Sequence, residues 1–401
     1  MTDEMTGVRI LVADDQTDVA RTLCGPLRKA GAQLRFAPDG QAALTETASR
    51  PFDLIIVDMK MPPEEWGGLW LLRQLSLGGW NIPTLVLSGE GSKQQVIEAL
   101  RLGSTDWIDK DAAGEELLGR CARILRDRLE QALKLASTHL PSPLATRFAR
   151  YARTIDPEKQ VLEGLHTLEA VLRFAAALGL SNPTPASLRG VNPVRLVQPS
   201  MGTWFTLCND LAKTPDSCSA FIEILSWVMP ERADRQQVQD LIELRNGIAH
   251  GRVTATLTHR DSLDLLLRSF AHRAASSWRS SLAVPTSMTY DGSTYPHSVL
   301  TFTGIGKPIP GTVRTERPQV TGEVMLFSGQ SAPLNLFPWF VAQEAEHSGV
   351  LRIFQFDGLQ RTKGNLDSNS LLQYSKVDDG EDMKAADHPG TTWQALAPWF
   401  L

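Results

Sequence analysis

Five short runs, RILVA, QLRFA, LIIVD, TLVLS and DWIDK, alternate with helical periodicity over the first third of the chain. The helical patterns between them run through Val19–Ala30, Gln41–Ser49, Leu69–Leu75 and Gln94–Leu102. Apolar strands in strict alternation with helices predict a doubly wound α/β domain: a five-stranded parallel sheet covered by helices on both faces. Such sheets place ligands beyond the carboxyl ends of their strands. The polar residues fall there, with Asp14 and Asp15 after the first strand, Asp58 ending the third, Ser88 the fourth and Lys110 the fifth.

Three crowded carboxylates repel one another unless a hard dication lies among them, and Mg²⁺ takes a few carboxylate oxygens while keeping water and phosphate oxygens as its other ligands. A carboxylate can also be the nucleophile that accepts a phosphoryl group, with a lysine and a hydroxyl holding the transferred oxygens. The stretches VRILVADDQ, LIIVDMKMPP, TLVLSGEG and DWIDKD resemble the response-regulator receiver domain over residues 1–128. The resemblance implies that Asp58 is the phosphoacceptor and that Asp14, Asp15 and Asp58 bind Mg²⁺. It implies contacts of Ser88 and Lys110 with the phosphoryl group, and a switch role for Ser88 with Trp107 in the place of the usual switch aromatic. Its implied partner is a sensor histidine kinase or a phosphotransfer protein.

At 401 residues the chain fits two or three domains, and with 42% hydrophobic and 21% charged residues it has the composition of a folded globular protein. The longest apolar run, around Ala170–Leu180, is interrupted by Arg173, and MTDEMTGVRI carries no apolar signal core, so no membrane span and a cytoplasmic location are expected. The four cysteines lack metal-type spacing and read as reduced thiols. Residues 1–128 carry a charge balance of −4, whereas residues 141–280 hold 16 Lys and Arg against 13 Asp and Glu, far short of a dedicated nucleic-acid-binding footprint.

From Glu115 a helical pattern continues through LLGRCARILRDRLEQALKLAS, with Leu118, Ala122, Leu125, Leu129, Ala132 and Ala136 at spacings of four and three. This short heptad stripe fits a parallel helix pair between two chains, and the PSP at 141–143 ends it. A helical connector is expected over 129–157. The segment 158–283 then reads as an all-α bundle: QVLEGLHTLEAVLRFAAALG, a proline-rich break through Thr184–Pro199, TWFTLCNDLA, CSAFIEILSWVM, DRQQVQDLIELRNGIAHG with an Asp234 cap and a terminating Gly251, and SLDLLLRSFAHRAASSW.

In the fourth of these helices Arg245 sits near the centre of the apolar stripe of Val238, Leu241, Ile242, Ile248 and Ala249, with Asn246 and His250 along its edge. A guanidinium keeps its charge, so it must face an internal carboxylate (Glu169, Glu223 or Glu243) or a groove that receives an anion. ELRNGIAHG resembles the R-N-x-x-x-H signature of the HEPN superfamily, helical bundles that are often metal-independent endoribonucleases. The resemblance implies a catalytic set of Arg245, Asn246 and His250, composed across a homodimer seam, that needs no metal and acts on RNA. His166 and His272 read as ordinary residues of helix faces.

After Val284 short runs such as HSVLTFTG, GEVMLFSG, LNLFPWFVA, VLRIFQFDG and LLQYSKV are separated by turn residues, which predicts a small β-rich unit over 284–401. Its aromatics Trp339, Phe354 and Phe356 are expected to fill its core or to stack on bases. The chain as a whole reads as a multidomain phosphorylation-controlled effector, a regulated ribonuclease toxin in stress response or phage defence. The alternatives are a non-enzymatic regulator whose bundle binds RNA or a protein, and a HEPN-like nucleotidyl-transfer partner acting with another protein.

Overall fold

A computed structural model describes residues 5, 7–89, 93–181, 193–214, 218–230, 232–329, 332–344, 350–360, 370–376, 382–383 and 392–396. The proline-rich break expected from residue 184 lies outside the described residues as far as 192. The chain forms two compact units, Met1–Ala132 with Arg268–Ser277, and Leu133–Leu267 with Trp278–Leu401. Among the described residues no helix is long and apolar enough to cross a membrane.

The first unit contains β1 (Arg9–Ala13), α1 (Thr17–Leu23), α2 (Gly25–Lys29), β2 (Gln33–Ala37), α3 (Gly40–Ser49), β3 (Leu54–Val57), α4 (Gly67–Leu77), β4 (Thr84–Ser88), α5 (Lys93–Arg101), β5 (Asp106–Asp109) and most of α6 (Ala113–His139). The five strands are all parallel in the order β2-β1-β3-β4-β5. Successive strand residues point to opposite faces. Ile10, Val12, Leu54, Ile56, Leu85 and Leu87 therefore pack on α1, α2 and α6, while Leu11, Ala13, Ile55 and Val57 pack on α3 and α4. The expected single helix Val19–Ala30 is two helices, because Pro26 supplies no amide hydrogen and its ring obstructs the carbonyl one turn earlier.

The heptad stripe of α6 does not form a free seam for a second chain. Leu117, Cys121, Ile124 and Leu125 are part of the first unit's core, Leu118 and Ala122 pack against it, and Ala132 and Ala136 are fully buried. A spacing of three and four marks an apolar helix face without saying whether the same chain or another covers it.

The second half of α12 (Leu257–Ser277), expected to complete the helical bundle, belongs to the first unit from Arg268 onward. There the Arg273 Nε–H donates to Asp53 Oδ1 at 2.8 Å and an Nη2–H donates to Oδ2 at 3.2 Å. The Arg9 amide also donates to Asp53 Oδ2, and His272 Nε2 lies 3.2 Å from the Asp53 carbonyl oxygen. Burial alone would raise the Asp53 carboxyl, but the Arg273 guanidinium holds it below the ordinary carboxylate range.

The second unit holds α7 (Ser142–Arg153), α8 (Pro157–Leu180), α9 (Met201–Leu211), α10 (Ser219–Val228), α11 (Arg232–Ala249) and the first half of α12. Its strands are β6 (Ser281–Met288), β7 (Tyr295–Thr301), β8 (Ile309–Thr315), β9 (Met325–Phe327), β10 (Leu334–Asn335), β11 (Phe340–Glu344), β12 (Leu351–Leu359), β13 (Leu372–Lys376) and β14 (Asp382–Met383). They form two antiparallel sheets, β10-β9-β6-β7-β8 and β11-β12-β13-β14. Helices and strands share one aromatic core: Phe174 of α8 meets Phe340 of β11 edge to face, and Trp204 of α9 meets Phe356 of β12. Trp339 and Phe356 are buried and Phe354 is half-buried, so two of the three aromatics are core residues and do not stack on bases. Arg173 reaches from α8 into the second sheet, where its guanidinium donates to the Gln355 carbonyl at 2.7 Å and pairs with Asp357 at 3.0 Å.

Candidate functional site

Strand order reverses between β1 and β3 of the first unit, and the loops leaving those strands open a crevice at their carboxyl ends. The end of β1 delivers Asp14 and Asp15, and the end of β3 delivers Asp58. The backbone pins both, with the Asp58 amide donating to the Ala13 carbonyl at 2.8 Å and the Asp14 amide to the Ala37 carbonyl at 3.0 Å. Carboxylate oxygens of Asp14, Asp15 and Asp58 lie within 4.8 Å of one another. Asp14 and Asp58 are buried and Asp15 is exposed.

Lys110 leaves β5 one residue after its last rung, its amide donating to the Ser88 carbonyl at 3.1 Å. Its ammonium donates to Asp14 Oδ2 at 2.9 Å and stands 3.3 Å from Asp58 Oδ1. Ser88 is the last residue of β4 and is buried beside this group. Asp14 Oδ1 accepts from the Gln16 amide at 2.8 Å, which aims the carboxylate into the crevice. All five polar residues expected from the sequence are thus at one end of the sheet. Trp107, the expected switch aromatic, lies half-buried on β5 and packs against the cluster of Met59, Leu69, Leu72, Val86 and Ala99.

The electrostatics are those of an incompletely compensated acid cluster. Burial pushes the Asp58 carboxyl up to about 6, the Lys110 charge opposing and the Asp14 charge adding to the shift. Burial alone would lower the Lys110 ammonium, but its hydrogen bond to Asp14 and the Asp58 charge leave it raised. One ammonium among three carboxylates leaves negative charge that a hard oxygen-seeking dication would neutralise, so the donor set fits Mg²⁺. Metal and proton then compete for Asp58, and Mg²⁺ affinity measured by titration calorimetry is expected to fall as pH drops through about 6. In the absence of metal the sign for stability is the opposite of a salt-bridged acid. The folded carboxyl holds its proton to higher pH than an unfolded one, so this group favours the fold below about pH 4 and loses that contribution as pH rises through about 6. An affinity for Mg²⁺ that is flat from pH 5 to 8 would contradict this assignment.

Sequence reading missed what holds the Asp58 loop. Gly67 and Gly68 open α4 directly against it, and a Cβ on Gly68 would lie 2.4 Å from the Asp58 carbonyl oxygen, while one on Gly67 would lie 2.0 Å from the Met61 carbonyl oxygen. Their amides donate to the Met59 and Met61 carbonyls, so backbone touches backbone where only glycine fits. The paired glycines after MPPEEW were the available signal.

In the second unit α11 carries the other expected set. It begins two residues before Asp234, which sits in the first turn instead of capping the helix, and it ends at Ala249, two residues before Gly251 with its φ of +66°. Of the three acids open to Arg245, it is Glu169 on α8 that takes its guanidinium, at 3.1 Å. His166 lies one turn before Glu169, and its imidazole is lowered by burial, with Glu163 opposing and Arg147 and Arg245 assisting. Asn246 and His250, four residues apart, are exposed together, while Arg245 is half-buried.

Comparison with known proteins bears on the first unit. Residues 10–122 match the response regulator receiver domain. Response regulator MprA of Mycolicibacterium vanbaalenii is 38% identical over 119 residues, which cover 30% of this chain and 51% of the relative. The Mycobacterium ulcerans protein of the same name is also 38% identical over 119 residues, covering 30% and 50%. The chain spans about half the length of these curated relatives. Among solved structures, the receiver domain of Francisella response regulator 1452 is 32% identical, covering 30% of this chain and 98% of that one with a TM-score of 0.28. The NtrX receiver domain of Brucella abortus is 29% identical, covering 29% and 98% with a TM-score of 0.28.

Proposed function

We propose that this chain is a phosphorylation-regulated effector of a two-component system, carrying its receiver domain at 10–122. The observation that bears most weight is the convergence of Asp14, Asp15, Asp58 and Lys110 at one sheet end, with Asp58 both buried and raised in pKa. In this reading an Asp58 carboxylate oxygen attacks the phosphorus of a phosphohistidine on a sensor kinase or phosphotransfer protein. The new P–O bond forms as the P–N bond breaks, and the imidazole departs with a proton. Lys110 moves from Asp14 and Asp58 toward a phosphoryl oxygen, and the Ser88 hydroxyl donates to another. Mg²⁺, held by Asp14, Asp15 and Asp58, would supply charge neutralisation on the phosphoryl oxygens. Trp107 and Ser88 then report the new charge to the face around α5, as the switch pair.

Acetyl phosphate with Mg²⁺ is expected to add one phosphoryl mass to the wild type and none to Asp58→Asn, read by intact-protein mass spectrometry. Equal modification of both proteins would remove Asp58 from its role.

For the second unit we infer a metal-independent endoribonuclease of HEPN type, acting as a regulated toxin in stress response or phage defence, with RNA as substrate and two chains completing the site. Support comes from the R-N-x-x-x-H motif on the last turns of α11 and from the exposure of Asn246 and His250 there. A rival reading, in which these helices only bind RNA or a protein, is favoured by the Arg245–Glu169 ion pair, which gives the arginine a purely structural partner.

A further inference from the structure

The second unit contains a cleft of about 760 Å³ that is remote in sequence from both sets of residues above. One wall is a stripe of α7, with Thr146, Arg150 and Arg153 at successive spacings of four and three, extending about 10 Å at 1.5 Å per residue. The second wall is the loop Gly304–Pro308, and the third is the start of β12, Leu351–Ile353.

Its charge is one-sided. Arg150, Arg153, Lys307 and Arg352 line it, and among the described residues no carboxylate does. Arg150 is shared with Glu163 at 2.9 Å, whereas Arg153, Lys307 and Arg352 have no acidic partner within 4 Å among the described residues. Four cations held around one concavity repel each other, an arrangement that an anionic ligand relieves. The floor is apolar, with Pro143, Phe302 and Ile353 buried.

The cleft is also preformed. The loop is fastened by backbone: the Gly304 amide donates to the Leu140 carbonyl at 2.8 Å, the Ile305 amide to the Ser137 carbonyl at 3.0 Å, and the Ser142 hydroxyl to the Gly304 carbonyl at 2.9 Å. Gly304 has φ +67°, and a Cβ there would come 2.8 Å from the Thr138 carbonyl oxygen, so the approach needs glycine. Arg352 is placed by its rung opposite Gln343 of β11. Fixed walls spare a ligand much of the ordering cost of binding.

We propose that this cleft binds a nucleotide, of mononucleotide to dinucleotide size, as a ligand separate from both the acid cluster of the first unit and the α11 motif. Its volume is in the range of about 300–1,000 Å³ typical of small-molecule sites, too large for a lone phosphate. Guanidinium forks match phosphate oxygens two at a time, and the apolar floor accommodates a base. Charge at the rim and an apolar floor together favour a phosphorylated, partly apolar ligand over an acidic peptide, whose carboxylates would leave that floor unused.

The test is titration calorimetry of the full-length protein with adenosine, AMP, ATP, the 5′-phosphorylated diadenosine pApA and a long 2′-O-methyl oligoadenylate that cannot be cleaved through its 2′ position. A short phosphorylated ligand is expected to bind with an affinity that falls as salt rises, and uncharged adenosine is not. Lys307→Glu and Arg352→Glu are each expected to weaken binding about tenfold or more, the loss of one charge-assisted contact, with thermal melts unchanged. Arg153→Glu, at an exposed position, repeats the test should Arg352→Glu fold poorly. The proposal is overturned if no short nucleotide binds, if binding ignores the charge reversals, or if only the long strand binds, which would make the cleft a stretch of an RNA track. RNA cleavage plays no part in these readouts, so their failure is distinct from failure of the ribonuclease reading.

Discussion

Arg273→Ala lowers the unfolding free energy of the first unit by about 3–5 kcal/mol, the usual cost of leaving a buried charge without its partner. Asp53 and Arg273 side chains are only 6% and 8% exposed, so solvent screening does little to soften the loss. Urea denaturation followed by tryptophan fluorescence reads the effect directly. The pH dependence carries the same signature. Since the folded Asp53 carboxyl lies below its unfolded value, its contribution is fully present above about pH 4 and is lost as pH falls through the lower folded value. Arg273→Ala should therefore flatten the acid limb of the stability curve. The double replacement Asp53→Leu with Arg273→Met should recover much of the loss, because a buried ion pair is often replaceable by apolar groups of similar volume. An unchanged urea midpoint in Arg273→Ala would show that Asp53 finds water or another partner.

RNA cleavage should disappear in His250→Ala without loss of fold, since His250 is exposed at the end of α11. In the ribonuclease reading His250 removes the proton from a ribose 2′-hydroxyl. The 2′-oxygen attacks phosphorus, the bond to the 5′-oxygen breaks as that oxygen takes a proton from water, and Arg245 stabilises the charge on the phosphorane. The products are a 2′,3′-cyclic phosphate and a 5′-hydroxyl, and EDTA does not inhibit an already activated enzyme. Arg245→Ala also abolishes cleavage, but it leaves Glu169 without its 3.1 Å partner, so melting curves must accompany the assay. Light scattering at micromolar concentration should show a dimer, because the motif is read as half of a composite site. Retained cleavage in His250→Ala removes the histidine from catalysis. A collapsed melt in Arg245→Ala, with no cleavage by wild type, assigns the arginine to structure and leaves a binding module.

How much of this could be read in the sequence differs between the two units, for a physical reason. In the first, function is tied to local pattern. An apolar strand ends and a carboxylate, hydroxyl or lysine follows, so Asp14, Asp58, Ser88 and Lys110 are located by strand register alone, and parallel pairing brings them together. Periodicity likewise locates the helices from α8 to α11 in the second unit to within a few residues. Periodicity cannot say what covers a face. The stripe of α6 looked like a seam for a second chain and is buried within this one, and Trp339 and Phe356, candidates to stack on bases, are core. Long-range partners were equally out of reach: Asp53 and Arg273 are separated by 220 positions and only folding makes them neighbours, while Arg245 had three candidate acids until α8 placed Glu169 beside it. The basic cleft has no linear signature at all, because its cations come from α7, a loop and β12 and become one site only through tertiary packing. Sequence by itself determined most of the secondary structure and the positions of the acid cluster, where neighbours along the chain decide the outcome. The three-dimensional fold decided pairing, burial and concavity, because these depend on which distant surfaces meet.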